Sequence, residues 1–152
     1  MKVYLVRHGR AVSPQADAAK PLSDEGRSEI EHVARTLKNM NISVSAVYHS
    51  GKLRAEESAM ILAAALEAGS AKQTSGLAPN DEPEESLGLI EASEGDIMLV
   101  AHLPLLDRLL RVLVNPEKDE GLPEFGAGTM VAVEQVGDSW QIFRALGPHM
   151  IW

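Results

Sequence analysis

The chain has no cysteine, which excludes thiol catalysis, Cys-ligated zinc and a disulfide framework. That absence points to a reducing interior, and the cytoplasm is the expected location. Aromatic residues are scarce, two each of Phe, Trp and Tyr, so Trp140 and Trp152 are read as packing or terminal anchors rather than ligand platforms. Positive charge is in deficit: 14 Lys and Arg stand against 22 Asp and Glu, a formal net charge of -8. A surface of that sign disfavours nucleic acid and anionic membranes as partners, so any anion-binding role has to come from a local basic pocket. Long apolar runs are missing too. The first, from Val3 to Val6, meets Arg7 and His8, too soon for a signal-peptide core or a membrane span. There is no spacing of carboxylates and histidines suited to a two-metal site, so neither metal nor cofactor is expected.

What is present is enough for one core. At 152 residues and 45% apolar content, the sequence predicts a single domain over 1–152, monomeric, without staples. Residues 2–6 read as a buried strand that delivers Arg7, His8 and Gly9 to its carboxyl end. Ser23 caps a helix with Ile30, Val33, Ala34 and Leu37 on one stripe, ending near 39–41. A strand at 45–48 leads into a helix that carries Arg54 near its start. A short strand near 73–75 and a helix near 84–92 follow. Residues 97–101 form the most continuous apolar run and end at His102, before a helix bearing Leu106, Leu109, Leu110 and Leu113. Residues 129–136 and 139–145 read as two antiparallel strands joined at Gly137 and Asp138. This alternation predicts an α/β fold: a three-layer α/β/α sandwich on a mostly parallel sheet, with an antiparallel C-terminal strand pair. Ligands of such sheets bind beyond the carboxyl ends of the strands. His8, Arg54 and His102 all fall there.

Taken alone, Arg7-His8-Gly9 is a weak signal, and a lone histidine is commonly structural. Position changes the weighing. A glycine after a strand-end histidine lets backbone approach a ligand, and an adjacent arginine supplies a donor fork for phosphate oxygens. A nucleophilic imidazole has to be neutral at one nitrogen, which histidine satisfies near neutral pH. Arg7, Arg54 and His102 then offer positive charge and donors to a transferring phosphoryl group. The helix after His102 offers backbone N–H groups and its dipole to the same anion. The plainer alternative for Arg54 is a solvated pair with Glu57, three positions on. The run from Asp81 to Glu85 reads as a helix start, with Asp81 or Glu82 as the other possibility, a proton donor; Asp81 is the candidate carried forward.

Arg7-His8-Gly9, Ser50-Gly51-Lys52-Leu53-Arg54-Ala55 and Ala101-His102-Leu103-Pro104 together resemble the motifs of the histidine phosphatase superfamily, nearly end to end, and specifically its short SixA-type branch. The resemblance implies a phosphoglycerate mutase-like fold, and His8 as the nucleophile that forms a phosphohistidine intermediate. It implies Arg7, Arg54 and His102 as catalytic phosphate binders around it. Gly51 stands where relatives often have proline, a change expected to loosen the turn. No carboxylate matches the proton donor of mutase-like members, which favours an N–P bond in the substrate. The expected partner is a phosphohistidine-bearing phosphotransfer protein. The alternatives are a small phosphorylated substrate such as a phosphomonoester, and a phosphoprotein-binding module with little turnover.

Overall fold

The structure, a computed structural model, describes residues 1–115 and 121–151. In chain order its elements are β1 (Lys2–Arg7), α1 (Asp24–Asn39), β2 (Ala46–His49), α2 (Leu53–Ala65), β3 (Lys72–Gln73), α3 (Pro83–Ala92), β4 (Ile97–Ala101), α4 (Leu105–Val114), β5 (Met130–Val136), β6 (Ser139–Gly147) and β7 (Met150–Ile151). The seven strands form one sheet in the order β3-β2-β4-β1-β5-β6-β7. Contacts from β3 through β1 are parallel, and those from β1 through β7 are antiparallel. The antiparallel edge is thus one short strand wider than expected. Trp152 lies outside the described residues, whereas Trp140 is half-buried and packs against the core.

Strand alternation divides the core in two. On β1, Val3 and Leu5 face α3 and α4, together with Ile97, Leu99 and Ala101 of β4 and Leu105, Leu106, Leu109 and Leu110 of α4. Tyr4 and Val6, with Met98 and Val100, face the other side, where Ile30, Val33 and Leu37 of α1 pack beside Ala55, Ala59 and Leu62 of α2. β4 is buried at every position because helices cover both of its faces. The α1 stripe predicted from spacing is the stripe that is buried, and Ser23 accepts from the Gly26 N–H as its cap.

The crossovers place the site. The chain leaves β1, makes β2 and β3 further out, and returns to insert β4 between β2 and β1. Arg7 pairs with Ala101 and His49 with Val100. His8 and His102 are therefore the first residues beyond two adjacent strands at the same level. Ser50 and Arg54 follow the third, β2.

Candidate active site

Backbone bonds fix the strand ends before any side chain is considered. The His8 N–H donates to the Ala101 carbonyl at 3.1 Å, the Arg7 N–H to Thr129 at 3.0 Å, and the Gly128 N–H to both the Arg7 and His8 carbonyls at 3.1 Å. On this frame a cleft of about 570 Å³ opens, with Arg7, His8, Arg54 and His102 in its walls. Lys20, Ser13 and Arg10 line it as well. The His8 and His102 rings lie 4.9 Å apart between centroids, tilted by 55°. The four residues singled out in the sequence are thus brought together.

His8 is held in one tautomer. Its Nδ1 lies 2.7 Å from the Gly9 carbonyl oxygen, which only accepts, so the proton sits on Nδ1 and Nε2 carries the lone pair. The Arg54 Nε–H donates to that Nε2 at 3.3 Å. Gly9 is itself tied down: its N–H donates to the Ser58 hydroxyl at 3.0 Å, and Ser58 donates to the Arg54 carbonyl at 2.7 Å. One buried serine on α2 thereby links the first turn of that helix to the loop that orients His8.

Burial pulls His8 down from 6.5 to about 4; the bond to Gly9 opposes the fall, and the cations of Arg54, Arg7 and Lys20 add to it. Burial also takes His102 down to about 3, assisted by His8, Arg54, Lys52 and Arg7. Both imidazoles are neutral at physiological pH. Both folded values lie below that of an exposed imidazole, so between pH 6.5 and about 4 the unfolded chain binds protons that the folded chain does not. Stability therefore falls as pH drops through that window. An NMR titration of the histidine Cε1–H resonances is expected to leave His8 and His102 unprotonated at pH 5.5, with the urea midpoint declining from pH 7 to 5. A midpoint near 6.5 for His8 would remove the cause.

Arg7 is clamped by its NH1, which donates to the Phe125 carbonyl at 2.9 Å. Its Nε is buried and meets no polar atom among the described residues. Arg54 does not pair with Glu57. That carboxylate instead binds Arg27 of α1 at 2.7 Å and accepts from the Leu22 N–H. Arg10 at the mouth bridges Glu25 and Glu29, each at 2.7 Å.

Four expectations change. Gly9 does not line the cleft; a Cβ there would stand 2.7 Å from Ile30 Cγ1 and 3.1 Å from the Gly26 carbonyl oxygen, so glycine is required by the packing of α1. Gly51 does not merely loosen its turn. Its φ is +92° and its N–H donates to His49 Nδ1 at 3.1 Å, a conformation and a donor that proline lacks. At the start of α4, the N–H groups of Leu105 and Leu106 already donate to Pro79 and His102 carbonyls, so those two are not available to an anion. Asp81 is absent from the cleft walls: its Oδ2 accepts from the Ala78 N–H at 3.0 Å, closing its own loop. Among the described residues, no carboxylate lines the cleft. Among the described residues, no three His, Cys, Asp or Glu side chains are grouped to hold a metal ion, and no helix is long and apolar enough to cross a membrane.

Lys20 and Ser58 were not singled out in the sequence, and Ser50 stood in a quoted motif without a role of its own. Lys20 had a signal, as the last cation before the Ser23 cap in an otherwise irregular loop. Ser58 had none.

A family profile for the histidine phosphatase superfamily (branch 1) matches residues 3–78. The phosphohistidine phosphatase SixA of Escherichia coli is 29% identical over 126 residues, covering 77% of this chain and 76% of that protein. An uncharacterized protein of Picosynechococcus is 34% identical over 113 residues, covering 68% and 67%. Among solved structures, the protein histidine phosphatase SixA complexed with tungstate superimposes with a TM-score of 0.84 over 97% of each chain, at 24% identity.

Proposed function

The chain belongs to the histidine phosphatase superfamily, with a phosphoglycerate mutase-like fold, and from that premise we propose that it is a metal-independent phosphohistidine phosphatase. It acts as a single-domain cytoplasmic monomer on a phosphotransfer protein. The observation that carries this reading is a cleft lined by three arginines, a lysine and two neutral histidines, with no carboxylate among its described lining residues.

His8 Nε2 attacks phosphorus, forming an N–P bond, while the bond to the substrate imidazole breaks and its electron pair stays on the departing nitrogen. Arg7, Arg54 and His102 face the equatorial oxygens, where charge is spread in the transition state, and Lys20 adds a cation at the rim. Water then attacks the phosphohistidine. Its oxygen bonds to phosphorus, its proton passes to solvent, and the electron pair of the broken bond returns to Nε2. His8 ends as it began.

The lack of a carboxylate among the described lining residues of the cleft supports this substrate class. An alkoxide leaves only if something protonates it, whereas an imidazole whose distal nitrogen carries a proton departs neutral without help from the enzyme. A panel pairing a phosphohistidine-bearing carrier protein with a sugar phosphate, a nucleotide and phosphoserine tests this. The kcat/KM for the phosphohistidine is expected to exceed that of every ester by roughly 100-fold, the usual contribution of one general acid. Equal or faster ester hydrolysis overturns it.

A further inference from the structure

His102 is 2% exposed yet forms part of the cleft wall. Its two nitrogens are treated differently by the protein. Nε2 lies 2.6 Å from the Ser50 hydroxyl, while Nδ1 is buried and has no hydrogen-bond partner among the described residues. We infer that Ser50 is a positioning residue: its hydroxyl donates to His102 Nε2, fixing the proton on Nδ1, so that Nδ1–H is the donor His102 offers to a phosphoryl oxygen. The inference rests on the phosphatase reading and deepens it.

The argument is one of donors and acceptors. Ser50 Oγ already accepts from the Lys52 N–H at 3.3 Å, and its other contact is His102 Nε2. If Ser50 donates to Nε2, the hydroxyl proton is used and the ring keeps one buried N–H for an anion. If Nε2–H donates to Ser50 instead, the hydroxyl proton has no acceptor in these contacts. Nδ1 is then a buried lone pair, which repels phosphate oxygens. The first arrangement satisfies more groups and makes the leftover one useful. The turn holds Ser50 in place, because Gly51 at φ +92° donates to His49 Nδ1 at 3.1 Å directly before α2. Neutrality of His102, at a pKa of about 3, is what makes the tautomer matter, since a protonated ring would donate from both nitrogens.

Long-range proton–nitrogen NMR on the ¹⁵N-histidine-labelled chain at pH 7 reads the tautomer in the free enzyme. The expected result is a protonated Nδ1 and a bare Nε2 on His102, with inorganic phosphate shifting Nδ1 more than Nε2. In Ser50→Ala the Nε2-protonated form is expected to appear, and kcat/KM on phosphohistidine to fall roughly tenfold, the effect of one hydrogen bond. Ser50→Thr, which keeps the hydroxyl, restores both. A wild-type ring protonated on Nε2 overturns the inference, and so does a Ser50→Ala protein that keeps both tautomer and rate. The wild-type spectrum needs neither turnover nor a variant. Failure of the phosphatase reading would show separately, as absence of hydrolysis with the tautomer as stated.

Discussion

His8→Ala is expected to lose both the covalent intermediate and turnover, with kcat lower by roughly 10⁴-fold or more, as when the attacking group of a covalent mechanism is removed. His8 presents a bare imidazole nitrogen to the cleft, with its other nitrogen committed to the Gly9 carbonyl and a guanidinium 3.3 Å away. The measurement is rapid quench with a labelled phosphodonor. Wild-type protein is expected to carry an acid-labile, base-stable label on His8, and the variant none. Label on another residue, or a variant within tenfold of wild type, would end the covalent mechanism. The variant should also fold, because His8 lies just beyond β1 and outside both apolar clusters of the core. Its stability should depend less on acid than that of the wild type, since one of the two depressed imidazoles is gone.

Much of this site was legible because strand ends are legible. Runs such as Ile97 to Ala101 stop where burial stops, and the first polar residue beyond them falls at the sheet edge whatever the rest of the chain does. Parallel pairing then needed only the order of strands to bring His8 beside His102. Features governed by distant partners were not legible. Spacing left a solvated pair with Glu57 as the plainer alternative for Arg54, but α1 brings Arg27 to that carboxylate, and a tertiary partner displaced the local one. Gly9 sits next to the nucleophile in sequence, yet the reason for glycine comes from Ile30 on α1. The short strand expected near 73–75 lies at Lys72–Gln73, paired with Tyr48 and His49, whereas the two-residue β7, paired with Leu146 and Gly147, was not expected. Ser50 entered only as one letter of a motif and Ser58 not at all, because the role of each lies in what it touches.

Arg54 is where the largest effect short of losing the nucleophile is expected, and where charge and shape can be told apart. Its Nε–H reaches His8 Nε2, so when a phosphoryl group occupies the line between them the planar fork is already aimed at its oxygens. Arg54→Ala removes a donor set that acts on charge developing in the transition state, and is expected to lower kcat by roughly 100- to 1,000-fold. Arg54→Lys keeps the charge but places one compact ammonium on a different stem, so it should recover little of that loss; free guanidinium added to Arg54→Ala should recover more. A second readout is independent of turnover. Arg54 is one of the cations holding His8 below its ordinary value, so His8 in Arg54→Ala is expected to titrate above about 4, while in Arg54→Lys, with the charge kept, it should move less. A lysine variant within threefold of wild type would mean that charge alone suffices, and that the fork geometry at this strand-to-helix junction is incidental to catalysis.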